Sequence, residues 1–151
     1  MNNKKIKIIV DATCRIKNAH KKGRAGRGYS ACGFVILDEN DNILLEGSKY
    51  LGEQTVPQAE MLGLIEALEK APSVARANVE VWMDSELVIK WMNGDYRMKK
   101  PEIRALYDEV KKKEQRFIGE VKYFWHNRNA KWAVYADKLA NQEYSKHHSG
   151  R

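Results

Sequence analysis

A chain of 151 residues with 43% hydrophobic and 31% charged residues has the length and composition of one globular domain with its own core, which excludes a disordered segment. Its 27 lysines and arginines exceed 20 acidic residues, and the net charge of +7 favours a polyanionic partner. Two cysteines, Cys14 and Cys32, follow neither a zinc spacing nor a disulfide framework, no apolar run approaches the ~18 residues of a membrane span, and the opening Met-Asn-Asn-Lys-Lys lacks the apolar centre of a secretory signal, so a cytoplasmic protein is expected.

The β-favouring run from Ile6 to Val10 predicts a strand covered on both faces and ending at Asp11. From Ala12 through Leu37 there is no acidic residue, and Arg15, Lys17, Lys21, Lys22, Arg24 and Arg27 crowd a stretch punctuated by Gly23, Gly26 and Gly28. Thr13 to Ser30 is expected to be a long loop, either a phosphate patch or a merely solvated one. Its glycine cluster lacks the Gly-Lys-Ser/Thr ending of a nucleotide-binding loop and opens into no helix, which disfavours a kinase or nucleotidase. Ala31 to Leu37 and Ile43 to Tyr50 then form a hairpin about the turn residues Asp38 to Asn42.

Thr55-Val-Pro-Gln58 has the form of a capping box and opens a helix with Met61, Leu62, Leu64, Ile65 and Leu68 on its apolar face, ending near Ala71 before Pro72. Glu60 is expected in the first turn. Asn78 to Met83 predicts a strand ending at Asp84, with Ser85 as N-cap of a short helix through Met92 that Gly94 closes. Pro101 opens a third helix, Val121 to Trp125 forms the last strand, and a final helix spans about Val134 to Tyr144. The domain is expected over residues 1–146, with 147–151 as a flexible tail. Trp82, Trp91, Trp125 and Trp132 suit core positions, Trp132 being the candidate for exposure. The element order implies an α/β fold with a mixed sheet, a hairpin followed by strands joined through right-handed helical crossovers.

Four carboxylates stand out in this order. Asp11 and Asp84 close two strands, Glu60 sits near a helix start, and Asp137 lies within the last helix. If those strands are adjacent and parallel, the acids meet at the sheet edge where open α/β folds place their sites. Carboxylates without neutral ligands favour Mg²⁺ or Mn²⁺ over zinc, and two such ions ~3.5 to 4 Å apart suit phosphodiester cleavage. Helix capping and solvation remain the alternative for any one of them.

The segments Ile8-Ile-Val-Asp-Ala-Thr-Cys14, Ala59-Glu-Met-Leu-Gly-Leu-Ile-Glu-Ala-Leu68, Trp82-Met-Asp-Ser-Glu-Leu-Val88, Asn93 through Met98 to Pro101, and Ala136-Asp-Lys-Leu-Ala140 resemble the type 1 ribonuclease H family in its compact form without a basic protrusion. The resemblance implies a ribonuclease H-like α/β fold with a mixed five-stranded sheet in the order 3-2-1-4-5. It further implies cleavage of the RNA strand of RNA/DNA hybrids to 5′-phosphate and 3′-hydroxyl ends with two Mg²⁺ or Mn²⁺ ions; a monomer is the separate expectation for the chain. Asp11 would bridge both ions, Glu60 and Asp84 would hold the one on the leaving-group side, and Asp137 the one carrying the attacking water. Nucleic-acid contacts are expected from Thr13, Cys14, Arg15, Lys17, Lys21, Lys22, Arg24, Arg27 and Arg128, and His126, just after the last strand, is expected in a fixed role, structural or phosphate-contacting, in preference to a catalytic one. Val56 and Pro57 stand where the family usually carries two asparagines that cross the hybrid's minor groove. Two other readings therefore stay open: a non-catalytic nucleic-acid-binding module, and a nuclease for another duplex or branched DNA.

Overall fold

The computed structural model describes residues 5–16 and 26–148. Its elements run β1 (Lys5–Ile16), β2 (Arg27–Leu37), β3 (Ile43–Thr55), α1 (Val56–Lys70), β4 (Asn78–Met83), α2 (Glu86–Met92), α3 (Pro101–Glu114), β5 (Val121–Trp125) and α4 (Lys131–His148). The strands form one five-stranded sheet in the order β3-β2-β1-β4-β5. β2 runs antiparallel to both of its neighbours, β1 and β3, whereas β4 runs parallel to both β1 and β5.

Side-chain alternation along the strands divides the core between two faces. Ile6, Ile8 and Val10 of β1 join Phe34, Ile36, Val79, Val81, Met83 and Tyr123 beneath α1, α2 and α3. Ile9 joins Val35 and Leu37 beneath Ala136 of α4, with Trp82, Trp132 and Tyr135 at the margin. Two glycines allow the close approach of helix to sheet. A Cβ on Gly63 of α1 would lie 3.0 Å from Cys32 Cβ, and one on Gly33 of β2 would lie 2.4 Å from the Ala136 carbonyl oxygen and 2.6 Å from Ala140 N in α4. α1 begins as its capping box requires: Gln58 N donates to Thr55 Oγ1 at 3.3 Å, and Thr55 N donates to Gln58 Oε1 at 2.9 Å.

Several boundaries differ from the sequence expectation. β1 does not stop at Asp11 but continues to Ile16, because its ladder with β2 persists to the Ile16–Gly28 pair after the apolar run has ended. Thr13, Cys14 and Arg15 are therefore strand residues, and Arg27 opens β2. Lys17, Lys21, Lys22 and Arg24 lie outside the described residues. Glu60 sits in the second turn of α1, since Thr55 is the N-cap and no acid occupies the first turn. α4 extends through His147 and His148, residues expected in the tail. His147 stacks on Tyr50 with ring centres 4.0 Å apart and its Nε2 bonds Glu143 at 3.0 Å, which holds the last turn in place.

The tryptophans also redistribute. Trp91 is buried and Trp82 stacks on Phe124 at 4.9 Å, but Trp132 packs edge-on against Tyr135 and Trp125 is the exposed one at 48%. No helix among the described residues is long and apolar enough to cross a membrane.

Candidate active site

Parallel pairing of β1 with β4 ends at Val10 and Met83, so the next residue on each strand, Asp11 and Asp84, stands at the mouth of a fork. Neighbouring strands lie about 4.8 Å apart. Alternation sends Asp11 to the α4 side with Ile9, and Asp84 follows Glu80 and Trp82 to that side. Beyond the fork β1 stays paired with β2, where Asp11 faces Gly33. Asp11 is thereby fixed in continuous strand and buried to 8% exposure, with Oδ1 accepting the Ala12 N–H at 2.9 Å.

Gly33 also admits the carboxylate from the last helix. With no side chain opposite Asp11, α4 settles against β2, and Asp137 comes within hydrogen-bonding reach of the Asp11 carboxyl. Asp137 Oδ2 accepts the Asn141 Nδ2–H at 3.1 Å. Glu60 enters from the opposite layer and is held by Ser85, whose hydroxyl donates to Glu60 Oε1 at 2.9 Å while accepting the Val88 N–H at 3.2 Å. Ser85 was legible in the sequence as a helix cap; its grip on Glu60 was not, because that contact joins two elements 25 residues apart.

The electrostatics follow from burial and from acids that face one another in pairs. Burial, followed by the Asp84 charge and by the hydrogen bond and charge of Asp137, pushes the Asp11 carboxyl up to about 9. Burial pushes Glu60 up to about 7; the Asp84 charge adds to the rise and the Ser85 hydrogen bond opposes it. Both groups therefore favour holding a proton until positive charge arrives. The carboxylates meet in pairs, Asp11 with Asp84 and with Asp137, and Glu60 with Asp84. Among the described residues, no three acidic, imidazole or thiol side chains already form a ready cage about one point. The donor set, all carboxylate oxygen and short of positive charge, fits hard divalent cations drawn in between these pairs.

Around the acids lie aromatic and basic groups. Trp125, at the end of β5, donates its indole N–H to the Asp84 carbonyl oxygen at 3.2 Å. His126 N–H donates to the Met83 carbonyl oxygen at 3.0 Å and its ring lies 6.0 Å from that of Trp82. Burial lowers the His126 pKa against the raising effect of Asp84, and its Nε2 is buried without a partner among the described residues.

The proposed contacts for nucleic acid spread over two surfaces. Thr13 and Cys14 are half-buried in β1, Cys14 Sγ lying 3.4 Å from the Gln54 carbonyl oxygen. Arg15 is exposed on the side of α4, its guanidinium 4.0 Å over the Tyr144 ring. Arg128 is exposed in the turn before α4 and makes no ion pair among the described residues. Arg27 instead faces a separate cleft of about 820 Å³ between the start of α1, α2 and the segment leading to α3. It is braced there by the Glu53 carbonyl oxygen at 3.0 Å and Gln58 Oε1 at 3.4 Å. Trp91, Tyr96, Arg97, Lys99 and Lys100 line the same cleft, as does Pro57. The sequence offered Arg27, Pro57 and the segment from Asn93 to Pro101 one by one, but not that they share a cleft, which exists only once α1 and α3 are side by side.

A buried carboxylate fork on a sheet ordered 3-2-1-4-5 defines the ribonuclease H-like class of α/β proteins. A family model described as "Reverse transcriptase-like" matches residues 20–143. The fold aligns with a ribonuclease H1 isolated from compost by a metagenomic approach at 32% identity and a TM-score of 0.82, over 96% of this chain and 99% of that one. A crystal structure of that enzyme type in complex with an RNA/DNA hybrid aligns at 30% identity and the same TM-score of 0.82, over 95% and 99% of the two chains. Ribonuclease H1 from the halophilic archaeon Halobacterium salinarum aligns at 25% identity and a TM-score of 0.80, over 94% and 98%. In sequence, a bifunctional protein of Mycobacterium tuberculosis is 30% identical over 137 residues, 90% of this chain and 35% of that protein. The chain thus spans about a third of the length of the curated relatives it matches first. It belongs to the reverse transcriptase-like family, among the type 1 ribonucleases H.

Proposed function

We propose that this chain is an endonuclease that cleaves the RNA strand of RNA/DNA hybrids with the help of two divalent cations, leaving 5′-phosphate and 3′-hydroxyl ends. The observation that carries the reading is the fork itself, where Asp11 and Asp84 follow the last parallel pair of β1 and β4, with Asp137 brought against Asp11. Mg²⁺ or Mn²⁺ bound there would lower the pKa of an attacking water and stabilise charge on the leaving oxygen. Asp11, on the most rigid element, is the carboxylate suited to be shared between two ions. Glu60 and Asp84 would serve the leaving-group side, and Asp137 on α4 the side of attack. Ser85 keeps one oxygen of Glu60 in a fixed direction, and Ala12 N–H does the same for Asp11.

Substrate grip would come from charge-assisted contacts to phosphates by Arg15, Arg128 and the cleft bearing Arg27, Lys99 and Lys100. Pro57 lines that cleft and has no side-chain donor, so hybrid selection would rest on backbone groups and the 2′-hydroxyl geometry. The test is a cleavage panel of labelled hybrid, RNA duplex, DNA duplex, branched DNA and single strands with Mg²⁺ or Mn²⁺. Hybrid-selective cutting that Asp84→Asn lowers by at least ~10³-fold supports the reading, in the range expected for loss of a catalytic group. Cutting of branched DNA with hybrid left intact replaces it, and binding of hybrid without cutting in either ion refutes catalysis.

A further inference from the structure

Asn141 stands one helical turn beyond Asp137 on α4, and Tyr144 stands nearly one turn further on. Its amide makes two bonds in opposite directions. Nδ2 donates to Asp137 Oδ2 at 3.1 Å, and Oδ1 accepts from Arg15 Nη2 at 3.4 Å. A guanidinium has donors only, so the atom facing Arg15 must be the oxygen, and the nitrogen is left for the carboxylate. The amide's orientation is thus decided by its neighbours' chemistry.

Arg15 is itself held, since its guanidinium lies 4.0 Å over the Tyr144 ring. It projects from β1 on the same face as Asp11, four residues or about 13 Å further along the strand. The planar fork carries five N–H groups, so one can remain on Asn141 while others meet a phosphate. Asp137 needs such help more than its partners do. Asp11 is locked in a buried strand, whereas Asp137 is exposed on a helix and its rotamer is set by few contacts.

We propose that Asn141 is a positioning residue that links the Arg15 guanidinium, as a contact for a nucleic-acid phosphate, to the Asp137 carboxylate. Docking of the phosphate backbone on Arg15 and the aim of Asp137 toward Asp11 are then coupled through one side-chain amide. The kinetic part of this inference rests on the hybrid-nuclease reading above; the binding part does not.

The experiment uses the full chain and two variants, Asn141→Leu, which removes both bonds, and Asn141→Asp, which keeps an acceptor for Arg15 but removes the donor to Asp137. The first readout is the side-chain amide resonance pair of Asn141 in the chain without divalent ions, titrated with RNA/DNA hybrid. A shift in the wild-type chain that is lost in Arg15→Ala, at hybrid concentrations that restore binding, supports the link. An Asn141 signal unmoved at the highest hybrid concentration overturns it. The second readout is steady-state cleavage. Both Asn141 variants should lower kcat about tenfold, leave KM within about threefold, and raise the Mg²⁺ concentration for half-maximal rate, while Arg15→Ala should act mainly on KM. Wild-type kcat in Asn141→Asp, or an effect on KM alone, overturns the positioning role. If the wild-type chain cuts no hybrid, the nuclease reading fails and the amide titration alone decides the role of Asn141.

Discussion

Replacing Asp11 by Asn tests whether the fork is a store of unfavourable charge. Asn has the shape of Asp, and its oxygen can still accept the Ala12 N–H, but it never ionises. In the unfolded chain the aspartate titrates near its ordinary 3.8, and in the folded chain it is pushed up to about 9. A raised carboxyl contributes its full stability below pH 3.8 and loses it as pH climbs toward 9, because the unfolded state ionises first. At pH 7 the interval above 3.8 corresponds to about 4 kcal/mol at 1.36 kcal/mol per pH unit. Water entry and movement of Asp84 and Asp137 reduce this, and a gain of about 2 kcal/mol is expected for Asp11→Asn, or roughly 4 to 8 °C in Tm. The assay is urea and thermal unfolding in chelator at pH 4, 7 and 8.5. The variant should match the wild type near pH 4 and exceed it increasingly above pH 6. Addition of Mg²⁺ should then stabilise the wild type more than the variant, in proportion to the logarithm of ion concentration. A variant equal to or weaker than the wild type at pH 8.5 in chelator would refute the reasoning.

Gly33→Ala places a methyl group against the backbone of Ala136 and Ala140, so it should cost about 1 to 3 kcal/mol in urea unfolding and reduce kcat more than tenfold by displacing Asp137. Ser85→Ala removes both a helix cap and the donor to Glu60; about 1 kcal/mol of stability should be lost. Because that donor favours the ionised form of Glu60, the acidic limb of the kcat/KM profile should also move to higher pH, and an unmoved limb would separate Glu60 from the titration that controls rate. Lys99→Ala combined with Lys100→Ala should weaken hybrid binding and flatten the slope of log Kd against log salt by about 1 to 2, measured by anisotropy. An unchanged slope would remove the cleft from the phosphate contacts.

Much of the layout was readable from residue order, and the reasons for what was missed are physical. Thr55 and Gln58 announce α1 because a capping box is a local device written in four consecutive residues. Asp84 at the end of β4 and Ser85 as a cap were readable on the same grounds. The length of β1 was not, since strand pairing beyond Asp11 depends on backbone bonds to β2 and not on apolar side chains, so Thr13, Cys14 and Arg15 looked like loop. Adjacency of β1 and β4, on which the whole site depends, is a long-range choice; the family resemblance supplied it, while composition and periodicity left it open. Trp125 and Trp132 exchanged their expected exposures because α4, which carries Trp132, lays it against the core formed by Ile9, Val35 and Leu37, whereas β5 is an edge strand whose end stays open. Asn141 carries no local signature at all, and Lys99 stood out only as part of the segment from Asn93 to Pro101. Their relevance appears only when helix and sheet, or two helices, lie together.

The close approach at Gly33 governs how readily the acidic fork can be altered. Contact between α4 and β2 at that point is backbone against backbone, so the gap separating Asp137 from Asp11 has no adjustable spacer. A larger residue can only widen it, and none smaller exists. Any change in the reach of this fork must therefore proceed through side chains flanking the acids, such as Asn141 or Ser85, while the helix-to-sheet distance stays set by backbone contact.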